Sequence, residues 1–164
     1  MNLRIEPLTI LHDRKSFECS DETVGRFLRE KAFQDQRLDL GRTYVQVDRL
    51  DKKRIIGYHS IVITEITQEQ IPDDRPKIKR NIPVMLLGQL GVATGYQGRG
   101  YGERLLLDAQ YRAYCVSEIA GIRAVVLDAR NERLAAWYSS HGFAALDGSL
   151  RMVKLISTIR NELT

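Results

Sequence analysis

Residues 90–106 read LGVATGYQGRGYGERLL, an apolar segment that runs into a cluster of glycines and then into residues with helical spacing. Glycine permits positive φ and lets another group approach the backbone closely. The first turn of a helix leaves several N–H donors without an intrahelical partner at the positive end of the helix dipole. A strand, this loop and a helix therefore predict an anion cradle, best suited to phosphate or pyrophosphate.

The spacing of these glycines separates the loop from two nucleotide-binding motifs. It lacks the Gly-Lys-Ser/Thr of a P-loop, which disfavours a nucleoside triphosphate site of that kind. Gly98, Gly100 and Gly102 do not follow the GxGxxG spacing of a dinucleotide fold. Arg99 lies in the same loop and can add a charge-assisted contact to a phosphate. A glycine turn with a purely structural role is the remaining alternative.

The composition of the 164 residues predicts one globular domain, spanning residues 1–164. The formal net charge of +4 suits an anionic ligand or nucleic acid, but it is also common among proteins that bind neither. Cys19 and Cys115 lie far apart without a CxxC or Cys/His cluster, so neither a disulfide framework nor a metal site is expected. No apolar run has the pattern of a secretory signal peptide or the length of a transmembrane helix. We therefore expect a cytoplasmic protein without membrane contacts.

Hydrophobic periodicity predicts a mixed α/β order of elements. A short strand is expected within residues 3–10, and one helix of about four turns, capped by Ser20 or Asp21, within residues 17–37. Two antiparallel strands are expected at 43–48 and 54–66, before a polar, proline-containing loop at 67–81. The later elements, in chain order, are a buried strand at 83–93, a helix from Gly102, a buried strand at 122–129, a helix from Asn131 to a stop at Gly142, and a strand at 150–156.

The segment Gln97-Gly98-Arg99-Gly100-Tyr101-Gly102 resembles the Q/R-x-x-G-x-G/A motif of the GNAT acyltransferases. The order of elements around it is similar to that family, as is the ending "AAWYSSHGF". The resemblance implies an α/β (α+β) fold with a single GNAT-type domain. Its mixed, twisted sheet of six to seven strands is flanked by helices, and its splayed central strands hold CoA. It also implies acetyl-CoA as the acetyl donor.

The resemblance implies site residues on three segments. The strand before the loop offers backbone groups to the pantetheine arm, the loop amides hold the pyrophosphate, and an asparagine often contacts the cofactor. These cofactor-binding candidates are Leu90, Gly91, Val92, Gln97, Gly98, Arg99, Gly100, Tyr101, Gly102, Glu103 and Asn131. Tyr138 matches the tyrosine that commonly protonates the departing CoA thiolate. Without the resemblance, Tyr138 is explained equally well by packing between Trp137 and Phe143.

The sequence does not mark a general base for the transfer. His59 and Glu65 lie on a predicted strand and His141 lies near a helix end, where structural roles are expected for all three. An α-amino group has a pKa of about 7.7–8, so a water chain can take its proton, whereas a lysine side chain at about 10.4 needs more help. The missing base therefore favours an α-amine as acceptor.

Most of the chain also resembles the GNAT toxins of bacterial toxin–antitoxin pairs, through residues 17–48, "IIGYHSIV", "IPVMLLGQLGV", "SEIAGIRAVVLDA" and "AAWYSSHGF". Members of that group acetylate the α-amine of the amino acid on charged tRNA, stop translation, and are held in check by a small ribbon-helix-helix antitoxin. The resemblance implies the same acceptor and antitoxin here, and a homodimer. Candidate contacts to the RNA backbone are Arg26, Arg29, Lys31, Arg37, Lys77, Lys79 and Arg80.

One residue departs from the pattern of that group. Gly25 falls where relatives usually carry a larger apolar residue, and a glycine inside a helix costs about 1 kcal/mol relative to alanine. Two other functions stay open: a GNAT enzyme for a small amine or a protein N-terminus, and a degenerate GNAT that binds CoA without turnover. The intact glycine motif and Tyr138 argue against degeneration.

Overall fold

A computed structural model describes residues 1–71, 79–146 and 148–164. Within these ranges, seven strands form one mixed sheet in the order β1-β2-β3-β4-β5-β7-β6. The strands are β1 (Leu3–Pro7), β2 (Arg42–Asp48), β3 (Gly57–Ile66), β4 (Ile82–Val92), β5 (Ala124–Asp128), β6 (Ala144–Ala145) and β7 (Arg151–Leu155). The helices are α1 (Glu22–Glu30), α2 (Ala32–Arg37), α3 (Tyr101–Ile119), α4 (Glu132–Ser140) and α5 (Ile156–Leu163). The predicted mixed α/β sheet of six to seven strands is confirmed.

The strand pairings explain why the sheet is mixed. β1 runs antiparallel to β2, from Leu3↔Asp48 to Pro7↔Tyr44, and β2 runs antiparallel to β3. β4 pairs in parallel with β5 at Met85↔Val125 and Leu86↔Val126, across the long connection that contains α3. β5 then pairs antiparallel with β7. The parallel β4–α3–β5 unit carries the glycine loop at the end of its first strand, where anion sites of α/β proteins are usually found.

The chain divides into two compact units, residues 1–62 with 87–109 and residues 63–86 with 110–164. In the first unit, Val45 and Val47 of β2 share a buried core with Val24 and Leu28 of α1. In the second, strand residues from β4, β5 and β7 form a buried cluster that includes Val84, Val126 and Val153. No helix in the described ranges is long and apolar enough to cross a membrane.

The single helix expected within 17–37 is wrong, because the chain leaves helical geometry at Lys31 (φ −121°) and continues as α2. Of the two predicted caps, Ser20 and Asp21, the structure has Asp21: its carboxylate accepts hydrogen bonds from the N–H groups of Thr23 and Val24. Leu28 of α1 and Ala32 of α2 are both buried in the same core. The break therefore lets two short helices cover one apolar surface.

The chain end also differs from the expectation of a strand at 150–156. β7 stops at Leu155, and Ile156–Leu163 form α5, which the sequence analysis did not predict. The apolar residues Leu155 and Ile156 continue the strand pattern across this boundary, so periodicity alone hides it. The short first strand predicted within residues 3–10 is confirmed as β1, whose pairing with β2 ends at Pro7.

Gly25 lies in the buried face of α1, and the position its Cβ would take is 2.9 Å from Nη1 of Arg29. This guanidinium lies across the helix: Nη1 donates to the backbone oxygen of Phe17 at 2.8 Å, and Nη2 donates to Glu22. The glycine therefore makes room for an arginine that ties α1 to the segment before it. The contact with Arg29 gives Gly25 a packing reason to be glycine within this fold.

Gly25→Ala is expected to stabilise by clearly less than the ~1 kcal/mol that helix propensity alone would give. The new methyl group forces the end of the Arg29 side chain to shift, which weakens its charged hydrogen bond to Phe17 and offsets part or all of that gain. Denaturant unfolding measures the effect, with Gly25→Ala in an Arg29→Met background as the control. There the same substitution should stabilise by the full gain, and equal effects in both backgrounds would contradict the explanation.

Candidate active site

The glycine loop spans residues 93–100, between the end of β4 at Val92 and the start of α3 at Tyr101. Gly98 (φ 76°) and Gly100 (φ 83°) both adopt the left-handed conformation that disfavours any side chain. A Cβ built on either glycine would meet nothing within 4 Å. The loop thus leaves an open space beside the first turn of α3, where backbone N–H groups lack intrahelical partners. That combination fits a pyrophosphate group.

Gln97 shapes this loop from within. Its side-chain amide donates to the backbone oxygen of Val92 and to Oγ of Ser20, both at 3.1 Å. The backbone N–H of Thr94 donates to the oxygen of Glu18 at 2.8 Å, which fixes the start of the loop to the same segment. Gln97 therefore holds the loop against the end of β4, and its amide is engaged within the protein.

The charges around the loop are of both signs. Arg99 is exposed, and its guanidinium carbon lies 5.8 Å from the centre of the Tyr96 ring, a cation–π distance. Glu103 is exposed in the first turn of α3, where a carboxylate is favoured by the helix dipole. Glu103 would repel a phosphate, so the dipole, the loop amides and Arg99 are the features that favour an anion here.

The β4 residues before the loop are Leu90, Gly91 and Val92. Gly91 has a packing reason to be glycine, because a Cβ there would collide with the side chain of Val24 and approach Sγ of Cys19 to 3.4 Å. Burial raises the pKa of the Cys19 thiol, so this sulfur stays protonated at neutral pH. The backbone role predicted for these three residues stays a prediction, as does the predicted splay of the central strands.

Tyr138 lies in the last turn of α4 and is 8% exposed. Its ring packs edge-on against Trp137, with 4.9 Å between the centroids, and against Phe143 at 5.9 Å. Burial raises the pKa of its phenol to about 12. The hydroxyl is therefore protonated throughout the physiological pH range, so it can donate a proton or a hydrogen bond but cannot act as a base.

Asn131 is the N-cap of α4, and its side-chain oxygen accepts a hydrogen bond from the N–H of Leu134 at 2.9 Å. From the sequence, Asn131 was predicted only to lie at the start of this helix. Its hydrogen bond shows that it also caps the helix. A contact with the cofactor would have to use the NH₂ half of the same amide. Asn131 and Tyr138 belong to the second unit, whereas the glycine loop belongs to the first.

The three residues considered as bases each have a structural contact. His59 is fully buried, and its Nε2 lies 2.8 Å from a carboxylate oxygen of Asp108. The Glu65 carboxylate accepts from the side-chain amide of Asn81 at 3.2 Å. His141 caps the C-terminus of α4. Within residues 1–71, 79–146 and 148–164, no group of three or more His, Cys, Asp or Glu side chains is arranged to hold a metal ion.

The basic residues predicted to contact RNA differ in their environments. In the first unit, Arg26, Lys31 and Arg37 are exposed, whereas Arg29 is half-buried and bonded to Phe17 and Glu22. Arg37 also lines a shallow cavity of about 390 Å³ that contains Arg42. Arg29 is thus used within the fold, and the other three are available to a ligand.

In the second unit, Lys79 and Arg80 are exposed, and Lys77 lies outside the described residues. Arg80 lines a groove of about 360 Å³ together with Arg123 and Arg160. Arg123 and Arg160 were not predicted from sequence, because they are 43 and 80 positions from Arg80. A charge cluster in three dimensions leaves no signal in a local stretch of sequence.

Comparisons with known proteins identify the family of the chain. Residues 39–145 match the family model described as an acetyltransferase (GNAT) domain. A curated tRNA-acetylating toxin of Mycobacterium tuberculosis is 27% identical over 135 residues, which cover 80% of this chain and 78% of that protein. AtaT complexed with acetyl-methionyl-tRNAfMet is 24% identical, with a TM-score of 0.90 over 99% of this chain and 100% of that one. AtaTR bound with acetyl-CoA is 25% identical, with a TM-score of 0.87 over 99% of both chains.

Proposed function

Because the chain belongs to the GNAT acetyltransferase family, we propose that it transfers the acetyl group of acetyl-CoA to the α-amine of an aminoacyl-tRNA. The observation that carries the choice of acceptor is the similarity to a tRNA-acetylating toxin over 80% of this chain. The products are free CoA and N-acetyl-aminoacyl-tRNA. The acylated amine cannot attack the next peptidyl ester, so translation stops. Residues 1–164 act as a single acetyltransferase domain.

The glycine loop is the proposed holder of the donor. Acetyl-CoA supplies an activated acetyl thioester, and a solved relative is bound with that molecule. The space over Gly98 and Gly100 admits a pyrophosphate close to the backbone, and Arg99 adds a positive charge. The backbone of Leu90–Val92 offers hydrogen bonds to the pantetheine arm. Gln97 acts indirectly, by holding the loop in place.

Tyr138 is the proposed general acid. The bond from the acetyl carbon to sulfur breaks as the new bond to nitrogen forms, and the departing sulfur takes the phenolic proton. Burial raises the pKa of this phenol to about 12, so its O–H is intact at neutral pH and can donate to the sulfur as negative charge develops there. The acceptor nitrogen loses its own proton to water, because an α-amine with a pKa of about 7.7–8 is largely neutral above that pH.

The pH dependence of kcat/KM follows from these two groups. We expect the rate to rise through the pKa of the acceptor amine, at about 7.7–8, and then to stay flat to pH 10. The raised pKa of Tyr138, about 12, moves the loss of the acid above this range. Initial rates should be used, because the ester of the substrate hydrolyses at alkaline pH. A falling limb centred below pH 10 would contradict the assignment of a buried phenol as the acid.

Phosphates of the tRNA are proposed to lie against the exposed basic residues of both units. In the first unit these are Arg26, Lys31 and Arg37. In the second they are Lys79 and Arg80. Arg80 shares its groove with Arg123 and with Arg160, whose Nε lies 3.8 Å from a carboxylate oxygen of Glu118 and which is therefore not counted among the RNA contacts. Such contacts position the RNA without reading its sequence, and they weaken as salt rises. Arg29 is omitted, because its guanidinium is bonded within the fold.

The decisive experiment is incubation with radiolabelled acetyl-CoA and total charged tRNA. We expect label on the tRNA, released by alkaline hydrolysis as an N-acetyl amino acid. Deacylated tRNA controls for acetylation of the nucleotides themselves, and Tyr138→Phe controls for a contaminating enzyme. Label on peptide N-termini or small amines but not on tRNA would instead favour the other GNAT substrates. Retained acetyl-CoA binding without any labelled acceptor would indicate a degenerate, non-catalytic protein.

The biological setting follows from this substrate. An enzyme that blocks charged tRNA must be restrained, so we propose a small ribbon-helix-helix antitoxin as its partner and the cytoplasm, where charged tRNA is found, as its location. The curated relative is named a toxin, which supports this setting. A homodimer is proposed on the resemblance alone. Co-expression with a neighbouring ribbon-helix-helix protein should relieve growth arrest, and arrest that persists would argue against that partner.

A further inference from the structure

Lys154 of β7 is a buried charged residue that the proposed mechanism does not use. Its side chain is 3% exposed. Nζ donates to a carboxylate oxygen of Glu162 in α5 at 2.7 Å and to the backbone oxygen of His141 at 2.8 Å. The ammonium thus joins β7 and α5 to the residue that ends α4.

Residues 141–143, the segment that Lys154 holds, form a turn that is hydrogen-bonded to the backbone of Tyr138. The backbone N–H groups of His141 and Phe143 both donate to the backbone oxygen of Tyr138, at 3.0 and 3.2 Å. Gly142 between them has φ 91°, and a Cβ on it would lie 3.1 Å from Cε and Nζ of Lys154. The turn that ends α4 is therefore built around the ammonium, and a side chain at position 142 would displace it.

Lys154 is also connected to the Tyr138 ring by side-chain contacts through Phe143. Nζ lies 5.8 Å from the centre of the Phe143 ring, within the range of a cation–π contact. The Phe143 ring in turn packs edge-on against Tyr138, with an angle of 70° between the planes. Lys154 thus contacts both the backbone turn and the aromatic ring that fix the phenol.

Stability alone is a weak reason for a lysine at this position. Removing an ammonium from water costs several kcal/mol, and well-packed apolar residues often replace buried ion pairs without loss of stability. Three N–H donors can, however, bond a carbonyl and a carboxylate in fixed directions. A positive charge is also favoured at the C-terminal end of a helix such as α4. These features indicate that Lys154 serves to hold the His141 carbonyl and the Glu162 carboxylate in fixed positions.

We propose that Lys154 is a positioning residue for Tyr138: it clamps the turn at His141–Phe143 and so fixes the phenol at the departing sulfur. This inference rests on the proposed role of Tyr138 as general acid. The clamp acts on the transfer step, because a catalytic group displaced by about 1 Å can lose up to 10²-fold in rate. It has no direct role in holding acetyl-CoA or tRNA.

Lys154→Met tests the clamp, because it keeps the length of the side chain and removes its charge and donors. We expect kcat to fall by about tenfold to a hundredfold, with the Kd for acetyl-CoA and the KM for aminoacyl-tRNA within about twofold of the parent. In a Tyr138→Phe background, the same substitution should leave the residual kcat unchanged. Equal falls in both backgrounds would mean that Lys154 acts through overall structure, and would overturn the proposal.

Two further variants control for stability. Arg151→Met removes a cation from the same strand, where it pairs with Asp128, and should leave kcat unchanged. Glu162→Gln is the milder variant, because its amide oxygen can still accept from Nζ and the side chain at position 162 is half exposed. It should produce a smaller fall in kcat that also disappears in the Tyr138→Phe background. A full effect of Glu162→Gln in that background would contradict the clamp.

¹⁹F NMR can report the environment of the Tyr138 ring without any measurement of enzyme activity. With 3-fluorotyrosine in place of tyrosine, the ¹⁹F resonance that is absent from Tyr138→Phe reports position 138. We expect Lys154→Met to shift or broaden this resonance and Arg151→Met to leave it unchanged. An unchanged resonance in Lys154→Met would overturn the proposal. If Tyr138→Phe itself keeps full activity while the resonance still responds to Lys154→Met, the general acid is wrong and the structural clamp stands.

Discussion

Tyr138→Phe is expected to lower kcat by about 10²–10⁴-fold, the usual contribution of a general acid. Phenylalanine keeps the edge-on contacts with Trp137 and Phe143, so the aromatic packing around α4 should survive. Only the hydroxyl is lost, and with it the proton for the departing sulfur. The Kd for acetyl-CoA should stay within about twofold, because an interaction made only in the transition state leaves ground-state binding unchanged.

Tyr58→Phe is the matched control for this prediction. Tyr58 is also a buried tyrosine, and its hydroxyl donates to the backbone oxygen of Val24 at 2.6 Å. Its loss should cost about 1 kcal/mol of stability and leave kcat unchanged. Parent-like turnover in Tyr138→Phe, measured with charged tRNA, would exclude Tyr138 as the acid. An equal fall in both variants would instead attribute the effect to the loss of any buried hydroxyl.

The glycine loop could be predicted because its signal is contained in consecutive residues. The change from apolar strand to glycines to helical spacing lies within residues 90–106, and β4, the loop and α3 occupy these positions. The cap at Asp21 is equally local, since it depends on donors two and three residues away. Where the determinant and its consequence are neighbours in the chain, the sequence alone was sufficient.

The features that could not be predicted from the sequence depend on contacts between residues far apart in the chain. The role of Arg29 requires a bond to Phe17, 12 positions away, and that of Lys154 requires bonds to residues 13 and 8 positions away. In sequence, Arg29 is one charge on a helix face and Lys154 one cation in an apolar strand. The break at Lys31 is similar, because Ala32–Arg37 continues a helical pattern. The Arg29 bond, the Lys154 bonds and the helix break at Lys31 all depend on tertiary packing, and hydrophobic periodicity carries no information about it.

The glycine loop makes the second prediction with a large effect. Gly100→Ala is expected to raise the Kd for acetyl-CoA by at least about tenfold, through the loss of close approach to the backbone. The new methyl group would occupy the open space beside α3, where a Cβ meets no protein atom within 4 Å. It also disfavours φ 83°, at a cost of about 1–2 kcal/mol. The direct measurement is calorimetric titration with acetyl-CoA.

Gly148→Ala separates backbone strain from ligand binding. Gly148 also has a positive φ, 70°, and its Cβ would likewise meet nothing within 4 Å. Both variants should therefore lose similar stability, while only Gly100→Ala loses affinity for acetyl-CoA. Acetyl-pantetheine, which lacks the pyrophosphate, should bind Gly100→Ala as well as it binds the parent. An equal loss of affinity for both ligands would mean that the loop holds the acetyl-pantetheine arm, which the two ligands share, and not the pyrophosphate and nucleotide that only acetyl-CoA carries.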